Sequence, residues 1–294
     1  MSEKIVVTGY GIISSLGVGI EKNKEALLKG RKSIGRVSHI CTLHTNLPCG
    51  EVKESDEELR AMLGIAPETI VTRNPLLAMV AMKEAIAISG LTDETSTAFI
   101  NGTTVGGMEK SEQFYRDFFK GENTEYITAH DCGYGTEIAS RIFGRFDYMT
   151  TVSTACSSAA NSIILGADMI KNHRVDAPIV GGSESLSKFH LNGFNSLMIL
   201  EKEPCKPFNR DNNGLNLGEG AAFIVIESET SAKRRGAKIL CELSGYANCC
   251  DAYHQTATSP DSVGEVLAMT EALKNAKLET SAIDYINAHG TGTP

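Results

Sequence analysis

Apolar, β-branched runs of five or six residues recur along the chain and end in glycine or another small residue. Residues 5–9, 98–102, 148–152, 178–182 and 221–226 have this character and predict strands. Between them, the spacing of apolar positions predicts helices over 76–89, 135–143 and 158–171. Strands alternating with helices of this length indicate an α/β layered fold whose sheet is covered on both faces. Residues 30–58 carry neither period and predict loop with short pieces of structure.

The pattern also repeats. A strand at 5–11 is followed, after an insertion, by a helix opening Leu77-Ala78-Met79 and a strand ending Phe99-Ile100-Asn101. The same order returns as a predicted strand at 239–247, a helix containing Leu267-Ala268-Met269, and a strand at 283–288 ending Tyr285-Ile286-Asn287. This implies two similar halves, residues 1–236 and 237–294, with the second half incomplete. If the copies are alike, about 120 residues would be needed to finish the second layer.

Composition narrows the class. The chain has 294 residues, 41% hydrophobic and 22% charged, which allows a sizeable core. A net charge of −8 and no Lys/Arg-rich run argue against nucleic acid. No run approaches the roughly 18 apolar residues of a membrane span, and the apolar start is too short for a signal peptide. Eight scattered cysteines then read as reduced thiols, which predicts a cytoplasmic protein. Cys41, His44 and Cys49 have the only metal-like spacing, yet no second ligand pair lies nearby, and no metal is expected.

One of those cysteines has a setting of its own. Cys156 lies where the predicted strand 148–152 runs into the helix 158–171, among Thr154, Ala155, Ser157 and Ser158. A helix N-terminus stabilises a thiolate, and its amides could help bind an oxyanion. The residue is equally compatible with an inert, packed thiol. His289 stands in Asn287-Ala288-His289-Gly290-Thr291-Gly292-Thr293-Pro294, a glycine-rich segment at a predicted strand end, where ligand contacts are common in α/β folds. A neutral histidine there could hydrogen-bond a thioester carbonyl or simply close a turn. His254 is a weaker candidate. The glycines at 102–107 fit neither a dinucleotide fingerprint nor a phosphate-binding P-loop.

Taken together, the chain resembles the elongating β-ketoacyl–carrier-protein synthases. The resemblance rests on Val6 to Ile12, Gly102 to Met108, Thr154-Ala155-Cys156-Ser157-Ser158, Gly181-Gly182-Ser183-Glu184, Pro207 to Gly220, Asp251 to His254 and Asn287 to Pro294. It implies a thiolase-like fold of two similar halves, a homodimer, and an acyl carrier protein as partner. It implies that Cys156 takes an acyl chain as a thioester and that His289 assists decarboxylation of malonyl–carrier protein. Thr291 and Thr293 match positions that contact the phosphopantetheine arm, and Val105 and Phe194 match positions lining the acyl pocket. The substrates bring that arm with them, so no separate cofactor is expected. Ala159 departs from the family, which commonly has glycine there. The family's second histidine, its lysine and a glycine-rich oxyanion loop would lie beyond Pro294, so little condensing activity is expected of these residues alone. The function implied is decarboxylative Claisen condensation in fatty acid or polyene-type lipid synthesis. Two other readings remain at this stage: a cysteine-dependent acyl hydrolase, and a noncatalytic partner subunit of a synthase heterodimer. Lys202, Lys206 and Arg210 are candidates for docking an acidic carrier protein.

Overall fold

The computed structural model describes residues 3–92, 95–144, 146–211, 214–254 and 258–293. Its centre is a mixed sheet. Strand β1 (Ile5–Ser14) turns back through β2 (Gly17–Val18), and β3 (Ala98–Gly102), β4 (Tyr148–Val152), β5 (Ile179–Glu184) and β6 (Gly220–Ser228) follow in sequence. The order across the sheet is β2-β1-β6-β5-β3-β4. Strands β3, β4 and β5 run parallel, while β6 is antiparallel to both β1 and β5.

Period-two alternation sends successive side chains to opposite faces. Phe99 of β3 and Ile179 of β5 join one cluster, centred on helix α3 (Arg73–Ser89). Ala98 and Ile100 of β3 and Val180 of β5 join the other, against Ala167 and Ile170 of α7 (Ser158–Lys171). Both faces are therefore covered, as the unbroken apolar strands required. Helix α3 has twelve of its residues buried, from Arg73 to Ser89, which explains an apolar pattern too broad for a single stripe.

Around this core lie α1 (Ile20–Leu28), α2 (Asp56–Leu63), α4 (Met108–Phe118), α5 (Thr124–Thr128), α6 (Cys132–Phe143), α8 (Lys188–Ser196) and α9 (Glu229–Arg234). Helix α2 starts with a full capping box, Ser55 and Glu58 each binding the other's backbone amide, and stops at Gly64 with a left-handed φ of 70°. Residues 30–55 are mostly loop, as expected, closed by a bridge between Gly35 and Cys49.

The second half differs from its expected strands. Of 239–247, only β7 (Cys241–Glu242) forms, and it pairs with Val6 and Val7 of β1 rather than opening a sheet of its own. Helix α10 (Val263–Ala276) follows, and Gly245 lies so close beneath it that a Cβ would sit 2.3 Å from Ala272 O. Residues 283–288, expected as a strand, belong to none, and Tyr285 and Ile286 are largely exposed. A strand needs a hydrogen-bonded neighbour, and none of the described strands runs beside this segment.

Candidate active site

Strand β4 ends at Val152 and α7 begins at Ser158, so the chain must reverse its geometry within a short turn. Ala155 absorbs the change with φ 52°, a left-handed conformation that costs a non-glycine residue about 1 kcal/mol or more. Side chains hold it there. The Thr154 amide donates to Ser158 Oγ at 2.9 Å, and Ser158 Oγ donates to Ala155 O at 2.7 Å. Asn161 Nδ2 donates to Thr154 Oγ1 at 2.8 Å.

Cys156, next to Ala155, is exposed by this turn. It stands before the N-cap Ser157, so it precedes the first helical turn rather than lying within it. The amide of Ser157 donates to Thr154 O and that of Ser158 to Ala155 O. These two N–H groups are spent on the turn, which removes them from the oxyanion hole expected at this helix start.

Cys156 opens on a cleft of about 370 Å³ whose walls include Thr104, Ala159, Ser183, Glu184 and Ala221. Two glycines let α7 come down on the sheet. A Cβ on Gly102 would lie 2.6 Å from Ala159 N, and one on Gly182 would lie 2.8 Å from Ala159 Cβ. The alanine that departs from the family pattern thus fits against a strand position with no side chain.

Glu184, at the end of β5, is the charged group in this cleft. Its carboxylate accepts the Thr104 amide. Burial raises its pKa, outweighing the lowering effect of hydrogen bonds from Thr104, Thr103 and the Val105 backbone. On the far side of the same loop, Cys132 Sγ donates to Thr104 O at 3.7 Å. Burial pushes the Cys132 thiol up, and the charges of Glu184 and Asp131 add to this.

The remaining candidates lie apart. His289 is exposed, and the cleft at Cys156 includes neither it nor Thr291 or Thr293 among its described walls. Thr291 and Thr293, their hydroxyls 2.9 Å apart, instead line a second cleft of about 470 Å³ with Phe208 and Arg210. Val105 and Phe194 are half-buried and line neither cleft; Thr104 is the residue of that loop which reaches Cys156's cleft. His254 is exposed. The metal-like spacing resolves into separate roles: Cys49 is buried, its thiol pushed up to about 11, whereas the His44 ring bonds Asn192 Oδ1 at 2.8 Å.

Missed by sequence reading was a buried ion-pair network behind the cleft. Arg73 Nη2 lies 2.7 Å from Glu219 Oε1, and Arg73 Nη1 lies 3.0 Å from Asp56. Glu219 also accepts the amides of Val52 and Leu186. Glu109, 2.6 Å from the Arg73 amide, is pushed up to about 7 by burial. An acid beside glycines, as in Glu219 between Gly218 and Gly220, was the available signal.

The comparisons agree with this architecture. Residues 2–232 match the model of the beta-ketoacyl synthase N-terminal domain, and residues 240–294 match that of its C-terminal domain. Nodulation protein E of Rhizobium meliloti (strain 1021) is 33% identical over 313 residues, spanning all of this chain and 74% of that protein. The 3-oxoacyl-[acyl-carrier-protein] synthase 2 of Staphylococcus aureus (strain COL) is 31% identical over 308 residues, again spanning all of this chain and 74% of the relative. The solved ishigamide ketosynthase/chain length factor superposes with a TM-score of 0.89 at 30% identity, over all of this chain and 74% of that one. The chain belongs to the beta-ketoacyl synthase family, and its fold is that of the condensing acyltransferases.

Proposed function

We propose that this chain carries the acyl-accepting half of a 3-oxoacyl-[acyl-carrier-protein] synthase, with Cys156 as the nucleophile. The observation that carries the proposal is the strained, fully braced turn at Ala155, which holds Cys156 open on a cleft at the end of the sheet. Strain that surrounding hydrogen bonds maintain is characteristic of functional turns.

In the first step the Cys156 thiolate attacks the thioester carbonyl of an acyl–carrier protein. The new C–S bond forms as the carrier's thiol leaves and takes up the proton. A malonyl group on a second carrier then loses CO₂, and the resulting carbanion attacks acyl-Cys156. A carbon–carbon bond forms, the bond to Cys156 breaks, and the β-ketoacyl product stays on the carrier. His289 is assigned the hydrogen bond to the malonyl thioester oxygen. Thr291 and Thr293 are assigned to the phosphopantetheine arm, and Val105 and Phe194 to the acyl chain. Arg210, sharing the cleft of Thr291 and Thr293, suits an anionic group on that arm, and Lys202 and Lys206 are assigned to docking the acidic carrier. The substrates supply the arm, and the protein needs no cofactor of its own. The dividing line between the two halves is placed at residues 236 and 237.

Incubation with a radiolabelled acyl–carrier protein tests the reading. Label transferred to the chain, mapped to the Cys156 peptide and abolished in Cys156→Ala, is the expected result. A second reading, a noncatalytic partner subunit, is favoured by the likeness to a ketosynthase/chain length factor. It predicts no transfer. Release of free fatty acid by water would mark a hydrolase instead.

A further inference from the structure

Glu184 has no part in the chemistry described so far, yet it is the carboxylate in the wall of the Cys156 cleft. It sits on the last residue of β5, directly after Ser183, whose hydroxyl is tied to Asn74 at 2.7 Å, so its backbone is fixed. Its Oε1 accepts the Thr104 amide, in the middle of the loop leaving β3, while its Oε2 is buried with no partner among the described residues. That loop is the wall opposite Cys156, and Val105 is the residue assigned to the acyl chain. Thr104 Oγ1 in turn lies 3.5 Å from Ala155 O, across the mouth of the cleft on the nucleophile turn. Thr103 is anchored besides by Asn74 Nδ2 on its hydroxyl at 2.9 Å and by its amide on Val152 O at 3.1 Å, whereas Thr104 has, apart from Glu184, the long Cys132 Sγ contact to its carbonyl at 3.7 Å and its own 3.5 Å contact to Ala155 O.

We infer that Glu184 is a positioning residue: it holds the loop at Thr104 against the nucleophile turn and thereby shapes the seat for the acyl chain beside Cys156. The inference rests on the reading of Cys156 as the acyl-accepting thiol. A side-chain oxygen mounted on a fixed strand end suits the task because it accepts the Thr104 amide and holds it in place. The Thr104 amide replaces part of the water lost in the burial that raises the Glu184 pKa. Removing the acceptor frees the loop without touching the thiol.

The test compares two maleimides of different length, N-ethylmaleimide and N-octylmaleimide, with adducts quantified by peptide mass spectrometry. The exposed Cys41 serves as the internal control. In the parent chain the octyl reagent should gain at Cys156 relative to Cys41. Glu184→Ala should lower that octyl-to-ethyl ratio at Cys156 by about four-fold, the worth of roughly one buried methylene, while the N-ethylmaleimide rate at Cys156 and both rates at Cys41 hold. Glu184→Gln keeps an acceptor oxygen for the Thr104 amide and should restore the parent ratio. An unchanged ratio in Glu184→Ala overturns the inference alone. So does a ratio lost equally in Glu184→Gln, since the clamp would then not depend on the retained acceptor. A parent Cys156 that reacts no faster with the octyl reagent than Cys41 overturns the acyl-seat reading and the inference with it.

Discussion

At the scale of single residues, the site depends on what is missing as much as on what is present. Gly102 has no side chain, and that absence lets the first turn of α7 rest on β3, with Ser158 O and Ala159 N where a Cβ would otherwise stand, at 2.7 and 2.6 Å. Backbone atoms on both sides leave no flexible group to yield. Gly102→Ala should therefore destabilise the protein by about 1–3 kcal/mol, as overpacked cores do, and displace the Cys156 turn. Urea denaturation measures the first effect, and a slowed N-ethylmaleimide reaction at Cys156 the second. Cys132 gives a titration test of the same neighbourhood. Its thiol is raised chiefly by burial and secondarily by the charges of Glu184 and Asp131. A negative neighbour disfavours the thiolate, so removing it lowers the thiol's pKa. The pH midpoint for maleimide reaction at Cys132 should therefore move down in Glu184→Gln and stay in place in Asn172→Ala, a change on the distant end of α7.

At the scale of elements, packing and ion pairing set the joints between helices and sheet. Glu219 and Arg73 are both buried, and Glu219 accepts two backbone amides besides the guanidinium. Glu219→Ala leaves buried Arg73 with Asp56 as its remaining carboxylate partner and the Val52 and Leu186 amides without their acceptor, and should cost about 3 kcal/mol; a denaturant midpoint that fails to fall would contradict this. Glu109 works in the opposite direction. Its folded pKa of about 7 lies above the ordinary carboxylate value of 4.5. The folded state thus holds a proton that the unfolded chain releases, and stability falls as pH rises between those two values. The loss amounts to about 3 kcal/mol, and Glu109→Gln should flatten the stability profile from pH 4.5 to 7, measured by denaturation across that range. Sequence patterns made much of this scale legible. Strands β3 and β4 and helix α7 have the bounds that their sequence patterns imply; for β3 the reason is burial of every residue, which imposes an unbroken apolar stretch. The ion pairs were not legible, since Arg73 and Glu219 are far apart in sequence and meet only through the fold. The turn that carries Cys156 was legible for the reason that a strand entering a helix through small residues leaves a characteristic local pattern. Val105 lies outside the Cys156 cleft because loop direction is set by contacts such as that of Glu184 with Thr104, which no local pattern encodes, and Phe194 lies outside it because the packing of α8 is set by the fold. Residues 283–288 have a strand's composition but no neighbouring strand to pair with, and composition alone cannot supply one.

At the scale of the molecule, β4 is the edge of the sheet, with one side paired to β3 and the other free of any described strand. An open edge of apolar residues invites pairing with another chain. Tyr148 and Met149 on this strand are 43% and 45% exposed, and no edge-blocking proline or lysine interrupts residues 148–152. The same strand leads directly into the Cys156 turn, so whatever covers it also braces that turn. In the homodimer that the family resemblance implies, two β4 edges would meet and continue the sheet from one copy into the next. A symmetric pairing of this kind makes each residue's partner its own counterpart or a residue related to it by the two-fold axis. Met149→Lys would place like charges close to each other across that axis and remove apolar area from each side. The parent chain should elute from a sizing column at twice its chain mass, and Met149→Lys should elute as a monomer. It should also lose the protection of its β4 amides in hydrogen exchange, while those of β1 and β6, at the other side of the sheet, stay protected. A variant that stays dimeric with β4 protected would place the interface elsewhere. Monomeric elution of the parent chain would leave β4 as a true edge, and the exposed pair Tyr148 and Met149 would then need a different partner.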